Sequence, residues 1–319
     1  MWYFYVWSEG SRMECSKCRR KAVVQQRYSG LRLCETHFLE DVERKIKRRL
    51  RKEIKLRSGD VLAVALSGGK DSSVLLYVLC EIFRQRRDIN VVAITVDEGI
   101  EGYRAKYVRR ARKLADELSV DLFLFSFEDE FGMTLDEIVQ AAKLDADLRD
   151  KAPCTFCGVL RKTLLNRVGR ELGVAAIATA HNLDDEAQTI LMNYIRGDIT
   201  RLFRHSVRSE KFVPRVKPLR DVPEEEVALY GMLKGLEIEF EECPYKRLSF
   251  RFEILSWLND FERRHPGTRY SILRGFERLV QDGGRHFELK SCERCGEPCA
   301  GDLCQACKLL SKVLPKVSA

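Results

Sequence analysis

A short apolar segment that runs directly into a glycine turn and a helix constrains this chain more than any other feature. The segment Val61–Leu66 is apolar throughout, and Ser67–Ser73 then brings together two glycines, a lysine, a carboxylate and three hydroxyls. Apolar residues follow at helical spacing, so the order predicts a buried strand, a tight turn and a helix N-terminus. Backbone N–H groups and the helix dipole converge at such a junction, which predicts an anion-binding site.

The side chains of this turn favour a nucleotide phosphate. Lys70 supplies a point charge for phosphate oxygens, and Asp71 supplies a hard oxygen ligand for Mg²⁺. The spacing excludes the Walker pattern, which needs four residues between its first glycine and Gly-Lys. The sequence Ser-Gly-Gly-Lys-Asp-Ser instead resembles the PP-loop of ATP pyrophosphatases, which split ATP into AMP and pyrophosphate.

The central region alternates between strand and helix patterns. Strands are predicted at 61–66, 91–96, 121–126 and 175–179, and helices at 72–87, 103–118, 133–146, 158–172, 183–196 and 223–235. This alternation predicts an α/β fold with a parallel sheet. Ligands of such sheets bind at the carboxyl ends of the strands, so we expect 65–72, 96–99 and 179–185 to converge.

Two cysteine clusters near the ends of the chain have the spacing of structural zinc sites. Each offers two pairs of ligands separated by a loop, which closes a tetrahedral site at four ligands. The two predicted sets are Cys15, Cys18, Cys34 and His37, and Cys292, Cys295, Cys304 and Cys307. Cys299 is left over, and a disulfide framework fits poorly because nothing marks the chain as secreted.

These patterns divide the chain into five parts. We expect a tail at 1–13, a zinc finger at 14–41, a basic linker helix at 42–57, a PP-loop domain at 58–290 and a zinc ribbon at 291–319. The aromatic tail lacks the pattern of a signal peptide, and Met13 is an alternative start. No run of eighteen apolar residues occurs, so we expect a cytoplasmic protein that does not span a membrane.

Positive charge is concentrated in two segments. Of the net charge of +8, residues 1–58 hold 16 Lys or Arg against 7 acids, and Arg196–Arg220 holds eight against two. Such runs are often solvated helix faces. Two of them flanking an ATP site favour a polyanionic substrate, of which nucleic acid is the commonest.

A third cysteine cluster has no complete ligand set. Cys154 and Cys157 open a predicted helix, where the dipole and nearby cations are expected to lower thiol pKa values, and Cys243 lies far away in sequence. Three interpretations remain open: a thioredoxin-like redox pair, a third zinc site, or a site that handles sulfur. In the last, the thiolates carry persulfide or hold an iron–sulfur cluster with one iron left open.

Six motifs in a fixed order carry a family resemblance. They are Ser67–Ser72, Val96–Arg104, Cys154–Arg161, Ala180–Ala187, Arg196–Asp198 and Glu241–Tyr245. Together with both cysteine modules, they resemble the cytosolic tRNA 2-thiouridine synthetases. The resemblance implies an enzyme that adenylates O2 of a tRNA uridine and then replaces that oxygen by sulfur.

The resemblance also implies residue roles and partners. ATP is expected to contact Ala65, Leu66, Ser67, Gly68, Gly69, Lys70, Asp71, Ser72, Val96, Arg161 and Ala180. Catalysis is assigned to Cys154, Cys243, Asp185 and Lys70, and a [4Fe–4S] cluster to Cys154, Cys157 and Cys243. Asp185 would ligate Mg²⁺ or help to deprotonate the uridine, unless it only caps a helix. The family further implies a ubiquitin-like thiocarboxylate protein as sulfur donor and leaves room for a homodimer.

The wording of the motifs favours thiolation at wobble position 34. Val96–Ile100 and Thr155–Arg161 resemble the wobble group, whereas the sibling group thiolates the T-loop uridine at position 54. Two other classes remain as alternatives: a PP-loop ligase that transfers ammonia, and a zinc-dependent RNA-binding scaffold without activity. The first leaves the three cysteines unexplained, and the intact Lys70, Asp71 and Ser72 argue against the second.

Overall fold

The computed structural model describes residues 14–84, 86, 88–198, 212–239, 241–246, 250–282 and 290–314. The expected tail at 1–13 and much of the basic segment 196–220 lie outside the described residues. The strands are β1 Val24–Gln26, β2 Leu31–Leu33, β3 Val61–Ala65, β4 Asn90–Asp97, β5 Leu122–Ser126, β6 Ala176–Ala178, β7 Arg215–Val216, β8 Lys290–Ser291 and β9 Pro298–Cys299. The helices are α1 Glu35–Glu53, α2 Lys70–Phe83, α3 Arg104–Leu118, α4 Phe127–Phe131, α5 Leu135–Lys143, α6 Pro153–Glu171, α7 Leu183–Ile195, α8 Glu224–Leu233, α9 Phe250–Arg264, α10 Thr268–Asp282 and α11 Gln305–Val313.

A five-stranded parallel sheet in the order β5-β4-β3-β6-β7 forms the centre of the fold. The predicted α/β class and its four predicted strands are confirmed. The fifth strand, β7, was not predicted, because two residues are too few to show a pattern. It joins the sheet through the pairing of Arg215 with Ile177.

Both faces of the sheet are covered, so its inner strands are apolar throughout. Ala63 and Ile94 pack on one face against α5 and α6, and Leu62 and Val64 pack on the other against α1, α2 and α8. Since all five strands run parallel, their carboxyl ends lie at one edge of the sheet. That edge is where the sequence places its polar motifs.

Several helix boundaries differ from the predictions. The basic helix was expected over 41–57, but α1 begins at Glu35 and ends at Glu53, so it starts inside the expected zinc finger. The helix expected at 158–172 begins five residues earlier, because Pro153 occupies its first turn, where a missing N–H costs nothing. Cys154 and Cys157 therefore lie within the helix.

The two cysteine modules pack on opposite sides of the central domain. Tyr28 of the N-terminal module donates to Glu226 of α8 at 2.6 Å. In the C-terminal module, Glu297 accepts hydrogen bonds from Asn166 and Arg170 of α6. Among the described residues, none of the helices is both long and apolar enough to cross a bilayer.

Candidate active site

The turn after β3 and the first residues of α2, residues 66–73, are called the glycine loop below. This segment has the tight geometry of an anion site. Gly68 has φ of +79°, and a Cβ there would lie 2.0 Å from the Tyr107 carbonyl oxygen, so only glycine fits. The Ser72 hydroxyl accepts from the Ser67 N–H at 3.1 Å and donates to the Gly69 carbonyl at 3.0 Å. The loop is thereby fixed by its own residues.

Lys70 is buried at the start of α2 between two carboxylates. Its ammonium lies 2.9 Å from Asp71 Oδ1 and 3.0 Å from Glu224 Oε1. Burial opposes the charge, but Asp71 and Glu224 outweigh it and raise the pKa of Lys70. The lysine is therefore cationic, and it lies at the N-terminus of a helix, as binding of a phosphate requires.

A buried arginine connects the glycine loop to the end of β4. Arg104 donates to the Ser67 carbonyl at 2.5 Å and to the Val96 carbonyl at 2.5 and 3.0 Å. It also forms an ion pair with buried Glu98 at 2.5 Å. The Val96 carbonyl, expected near the nucleotide, is thus bonded to Arg104.

Glu98 extends this connection to α6. Its second oxygen lies 3.3 Å from the half-exposed Arg161 guanidinium. Arg161 in turn acts electrostatically on the Cys157 and Cys154 thiols. A chain of polar contacts therefore joins the glycine loop to the third cysteine cluster.

Asp185 caps a helix and also faces a cation. It forms a capping box with Asn182 at the start of α7, so the capping interpretation is correct as far as it goes. Its Oδ1 also faces the Arg251 guanidinium at 3.2 Å. Burial, with smaller contributions from Asp71 and Glu224, raises the pKa of Asp185 against the opposing charge of Arg251, to about 6 in all.

The residues before α7 are buried at the end of β6. Ala180 is half-buried there, and the His181 Nδ1 lies 3.0 Å from the Thr179 hydroxyl. Burial and nearby cations hold the pKa of His181 well below its usual range. This histidine is therefore neutral near pH 7.

The fold brings Cys154, Cys157 and Cys243 together, and we call this group the three-cysteine site. Cys154 and Cys157 lie in the first turns of α6, and the Cys154 thiol is 3.8 Å from the Tyr245 carbonyl in the loop that carries Cys243. Each thiol acts electrostatically on another of the group. This convergence could not follow from local spacing, because Cys243 is remote in sequence.

Hydrogen bonds from two tyrosines fix the loop of Cys243. Tyr107 of α3 donates to the Glu241 carbonyl at 2.8 Å, and Tyr245 donates to Asp136 of α5 at 2.6 Å. Three ion pairs also join the residues that precede Cys243 to α3: Glu237 with Lys113, Glu239 with Arg110, and Glu241 with Lys106. Cys243 is thus held from both sides of its position.

Burial raises the pKa values of all three thiols, to about 12 for Cys157, and outweighs Arg161. The expectation of lowered thiol pKa values was therefore wrong, because desolvation exceeds the dipole and the nearby charge. Burial disfavours a free thiolate pair, which a redox site needs. A bound cationic group would instead stabilise the thiolates.

The spacing of the thiols also separates the remaining interpretations. Within the described ranges, the groups whose ligand atoms all lie within 4.8 Å of one another are the two terminal sets, and the three-cysteine site is not among them. A single tetrahedral ion needs such a compact set, so a third zinc site is disfavoured. Thiols spread around a larger space fit a polynuclear cluster.

The two terminal cysteine sets are compact, as predicted. Cys15 Sγ lies 3.3 Å from His37 Nδ1, and Cys18 Sγ lies 3.7 Å from Cys34 Sγ. In the second set, Cys295 Sγ lies 3.6 Å from Cys304 Sγ. Cys299 is outside it and donates to the Gly301 carbonyl at 2.8 Å. Both sets fit one four-coordinate metal ion each.

Sequence reasoning missed two charged residues of the site. Glu224 begins a run of three acids at the start of α8, which signals a helix N-terminus but does not indicate proximity to Lys70. Arg251, opposite Asp185, has no signal in the sequence. Both are brought to the site by tertiary packing alone.

Comparison with known proteins gives two family matches. Residues 39–247 match the PP-loop domain family, and residues 14–39 match the N-terminal LIM domain of the 2-thiouridine synthetase TtuA. The chain is 43% identical to the tRNA 2-thiolation protein NcsA of Haloferax volcanii, over 94% of this chain and 99% of that protein. It is 33% identical to the tRNA-5-methyluridine(54) 2-sulfurtransferase of Pyrococcus horikoshii, over 93% of both.

A solved structure agrees with these matches. The U34-tRNA thiolase NcsA from Methanococcus maripaludis, described with its [4Fe–4S] cluster, superposes with a TM-score of 0.83 at 38% identity. The match covers 94% of this chain and 96% of that one. The similarity therefore extends over both the central sheet and the flanking modules.

Proposed function

Because this chain belongs to the PP-loop family of tRNA 2-thiouridine synthetases, we propose that it uses ATP to replace O2 of the wobble uridine, position 34 of tRNA, by sulfur. One observation carries the proposal. The glycine loop and the three-cysteine site meet at the carboxyl edge of one sheet, joined through Arg104, Glu98 and Arg161. An activating half and a sulfur-transferring half are thus adjacent.

Activation comes first, because O2 of uracil is a poor leaving group. Attack of O2 on the α-phosphate of ATP forms an adenylate and expels pyrophosphate. The glycine loop binds that pyrophosphate with its backbone N–H groups, and Lys70 balances the charge that builds on it. Asp71, 27% exposed beside Lys70, would hold Mg²⁺. Arg161 would contact the α-phosphate.

Asp185 is suited to the proton that leaves the uridine. The N3 proton must depart as O2 becomes nucleophilic, and a carboxyl with a pKa of about 6 is ionised near neutral pH yet basic enough to accept it. Arg251 orients this carboxylate. Asp185 could alternatively ligate Mg²⁺, and both roles require the ionised form.

Sulfur transfer completes the reaction. Sulfur attacks C2 of the adenylated uridine, the C2–O2 bond breaks, and AMP leaves with the former O2. A [4Fe–4S] cluster on Cys154, Cys157 and Cys243 would supply an iron with an open position for exogenous sulfur. The three thiols would provide three ligands and leave that position free. Without a cluster, Cys154 or Cys243 would carry a persulfide whose outer sulfur attacks C2. Another cysteine would then cleave the S–S bond, which leaves that sulfur on C2 and forms a disulfide between the two cysteines.

The remaining assignments follow the same family. Zinc would occupy the two terminal sets, since thiolate and imidazole ligands suit it. We propose a ubiquitin-like thiocarboxylate protein as sulfur donor, a homodimer as assembly and the cytoplasm as the place of action. The last agrees with the name of a 36% identical relative in Drosophila melanogaster, cytoplasmic tRNA 2-thiolation protein 1.

The test is anaerobic reconstitution with iron and sulfide, followed by reaction with tRNA, ATP and sulfide. Mass spectrometry of nuclease fragments should find 2-thiouridine at position 34. Thiolation at position 54 instead would contradict the wobble assignment and match the activity named for the Pyrococcus horikoshii relative. Full activity of the iron-free protein would contradict the cluster. ATP-dependent amidation would favour the PP-loop ligase, and the absence of pyrophosphate release would favour the RNA-binding scaffold without activity.

A further inference from the structure

Two cations beside the three-cysteine site form no ion pair within the part of the chain that the structure describes, although the Glu297 carboxylate acts electrostatically on one of them, Arg215. Lys162 lies on α6, one residue after Arg161, and Arg215 lies in β7. The Arg215 guanidinium donates to the Lys162 backbone carbonyl at 2.7 Å, which holds the two residues together. Both side chains are exposed, and within the part of the chain that the structure describes neither forms an ion pair.

Three more cations act electrostatically on Lys162, and each has a carboxylate neighbour, although Glu98 and Glu186 each serve a second arginine. Arg161 pairs with Glu98 at 3.3 Å, Lys217 pairs with Glu186 at 2.6 Å, and Arg251 pairs with Asp185 at 3.2 Å. The cations of these pairs lie on α6, just after β7 and on α9, respectively. Lys162 and Arg215 therefore add positive charge to a cluster that already holds more cations than carboxylates.

The cluster is electrostatically unfavourable in the free protein. Loss of solvent around its ammonium and the charges of Arg215, Lys217, Arg161 and Arg251 lower the pKa of Lys162 to about 8. Like charges held this close raise the free energy of the folded chain unless an anion neutralises them.

The place of the cluster indicates which anion it binds. Lys162 lies about 7.5 Å farther along α6 than Cys157 and about 140° around its axis. Arg161 and Arg251 act electrostatically on both Lys162 and the Cys154 thiol, so the cluster and the three-cysteine site have these neighbours in common. The glycine loop has its own cation, Lys70, so ATP does not require this pair. We propose that Lys162 and Arg215 form a phosphodiester clamp, which holds the tRNA backbone beside the three-cysteine site. The clamp rests on the proposed function and adds a specific contact to it.

Two variants, Lys162→Gln and Arg215→Gln, test the clamp against Lys143→Gln, an exposed control on α5. Binding of an unmodified tRNA transcript is measured by fluorescence anisotropy over a salt series. A phosphate contact contributes about one unit to the slope of log affinity against log salt, so each variant should reduce the slope by about one and weaken binding by about 5-fold or more. Lys162→Arg should retain binding, and Lys143→Gln should match the wild type.

Phosphate could also come from ATP, so ATP affinity without tRNA is the second measurement. An unchanged ATP affinity with weakened tRNA binding supports the clamp. Weakened ATP binding would assign the pair to the nucleotide and overturn the proposal, as would unchanged tRNA binding in both variants. A wild-type protein that fails to bind tRNA would contradict the proposed function itself, whatever the variants do.

Proton uptake on tRNA binding is a third measurement, and it would not change if Lys162 had only a structural role. At pH 8 about half of Lys162 is protonated in the free enzyme, so a phosphate that favours the ammonium draws up to about half a proton on binding. Calorimetry of tRNA binding in buffers of different ionisation enthalpy measures this uptake. It should disappear in Lys162→Arg, and its persistence there would contradict the clamp.

Discussion

The terminal cysteine sets and the three-cysteine site use the same ligand atom in opposite ways. Each terminal set is complete within about 25 residues of chain and brings four ligand atoms within 4.8 Å of one another. The three-cysteine site joins α6 to a distant loop and offers three thiols that are more widely spaced. Closure at four ligands fits a structural ion, whereas an incomplete set beside an ATP loop fits a group that reacts.

Removal of a thiol from the three-cysteine site should have the largest effect on activity. We expect Cys157→Ser to lower tRNA thiolation by more than about 100-fold, because the chemistry requires that ligand. The measurement is 2-thiouridine formed per minute by the reconstituted enzyme. Cys299→Ser is the matched control, since Cys299 lies outside the terminal set and should leave the rate unchanged.

The unfolding temperature of Cys157→Ser tests the same comparison through its effect on stability. Cys157→Ser should unfold within about 2 °C of the wild type, since it breaks no closed metal set. A large drop would mean that the three-cysteine site is structural and that the contrast between the two kinds of site is false.

Removal of a thiol from a terminal set should act on stability instead. Cys34→Ser opens a four-ligand set whose helix, α1, packs on the central domain, so a loss of about 3 kcal/mol in the free energy of unfolding is expected. At this chain length that corresponds to about 6 °C in Tm. Calorimetry and metal analysis check it: zinc should fall from two ions per chain to one. Equal zinc content would contradict the assignment.

The two kinds of site also differ in how far sequence could predict them. Both terminal sets follow from local spacing, and the strands β3 and β4 follow from apolar runs that end in polar turns. Glu224 reaches Lys70 across 154 positions, and Arg251 reaches Asp185 across 66. No local pattern encodes such pairs. The thiol pKa values were mispredicted for a related reason, because desolvation depends on the packing of distant segments.

The acid limb of the pH profile tests the reactive side of the comparison. In its proposed role Asp185 must be ionised, so we expect activity to rise as pH increases through about 6 and to be roughly tenfold lower at pH 5. Because folding raises this pKa, the carboxyl also favours the folded state most at low pH, and that contribution is lost as pH rises from about 4 to 6.

Arg251→Gln sharpens this test. Arg251 lowers the pKa of Asp185, against burial and the charges of Asp71 and Glu224, so its removal should shift the midpoint of the profile to higher pH. Arg263→Gln, on the same helix but paired with Asp260, should leave the midpoint in place. A profile that does not move in Arg251→Gln would show that another group sets the limb.

The smallest expected effect concerns the hydrogen bond that holds the Cys243 loop. Tyr245→Phe removes one bond, to Asp136, worth about 1 kcal/mol net, so the loop should release its thiol about 5-fold more often. In a reconstituted enzyme this should shorten the half-time of iron loss to a chelator by a similar factor. Tyr194→Phe, an exposed tyrosine on α7, is the control. The zinc proposed for the terminal sets should be unaffected, because four ligands from one local segment do not depend on this loop. If Tyr245→Phe released zinc and iron at the same rate, metal binding at the two kinds of site would be coupled. The contrast between the terminal sets and the three-cysteine site would then be wrong.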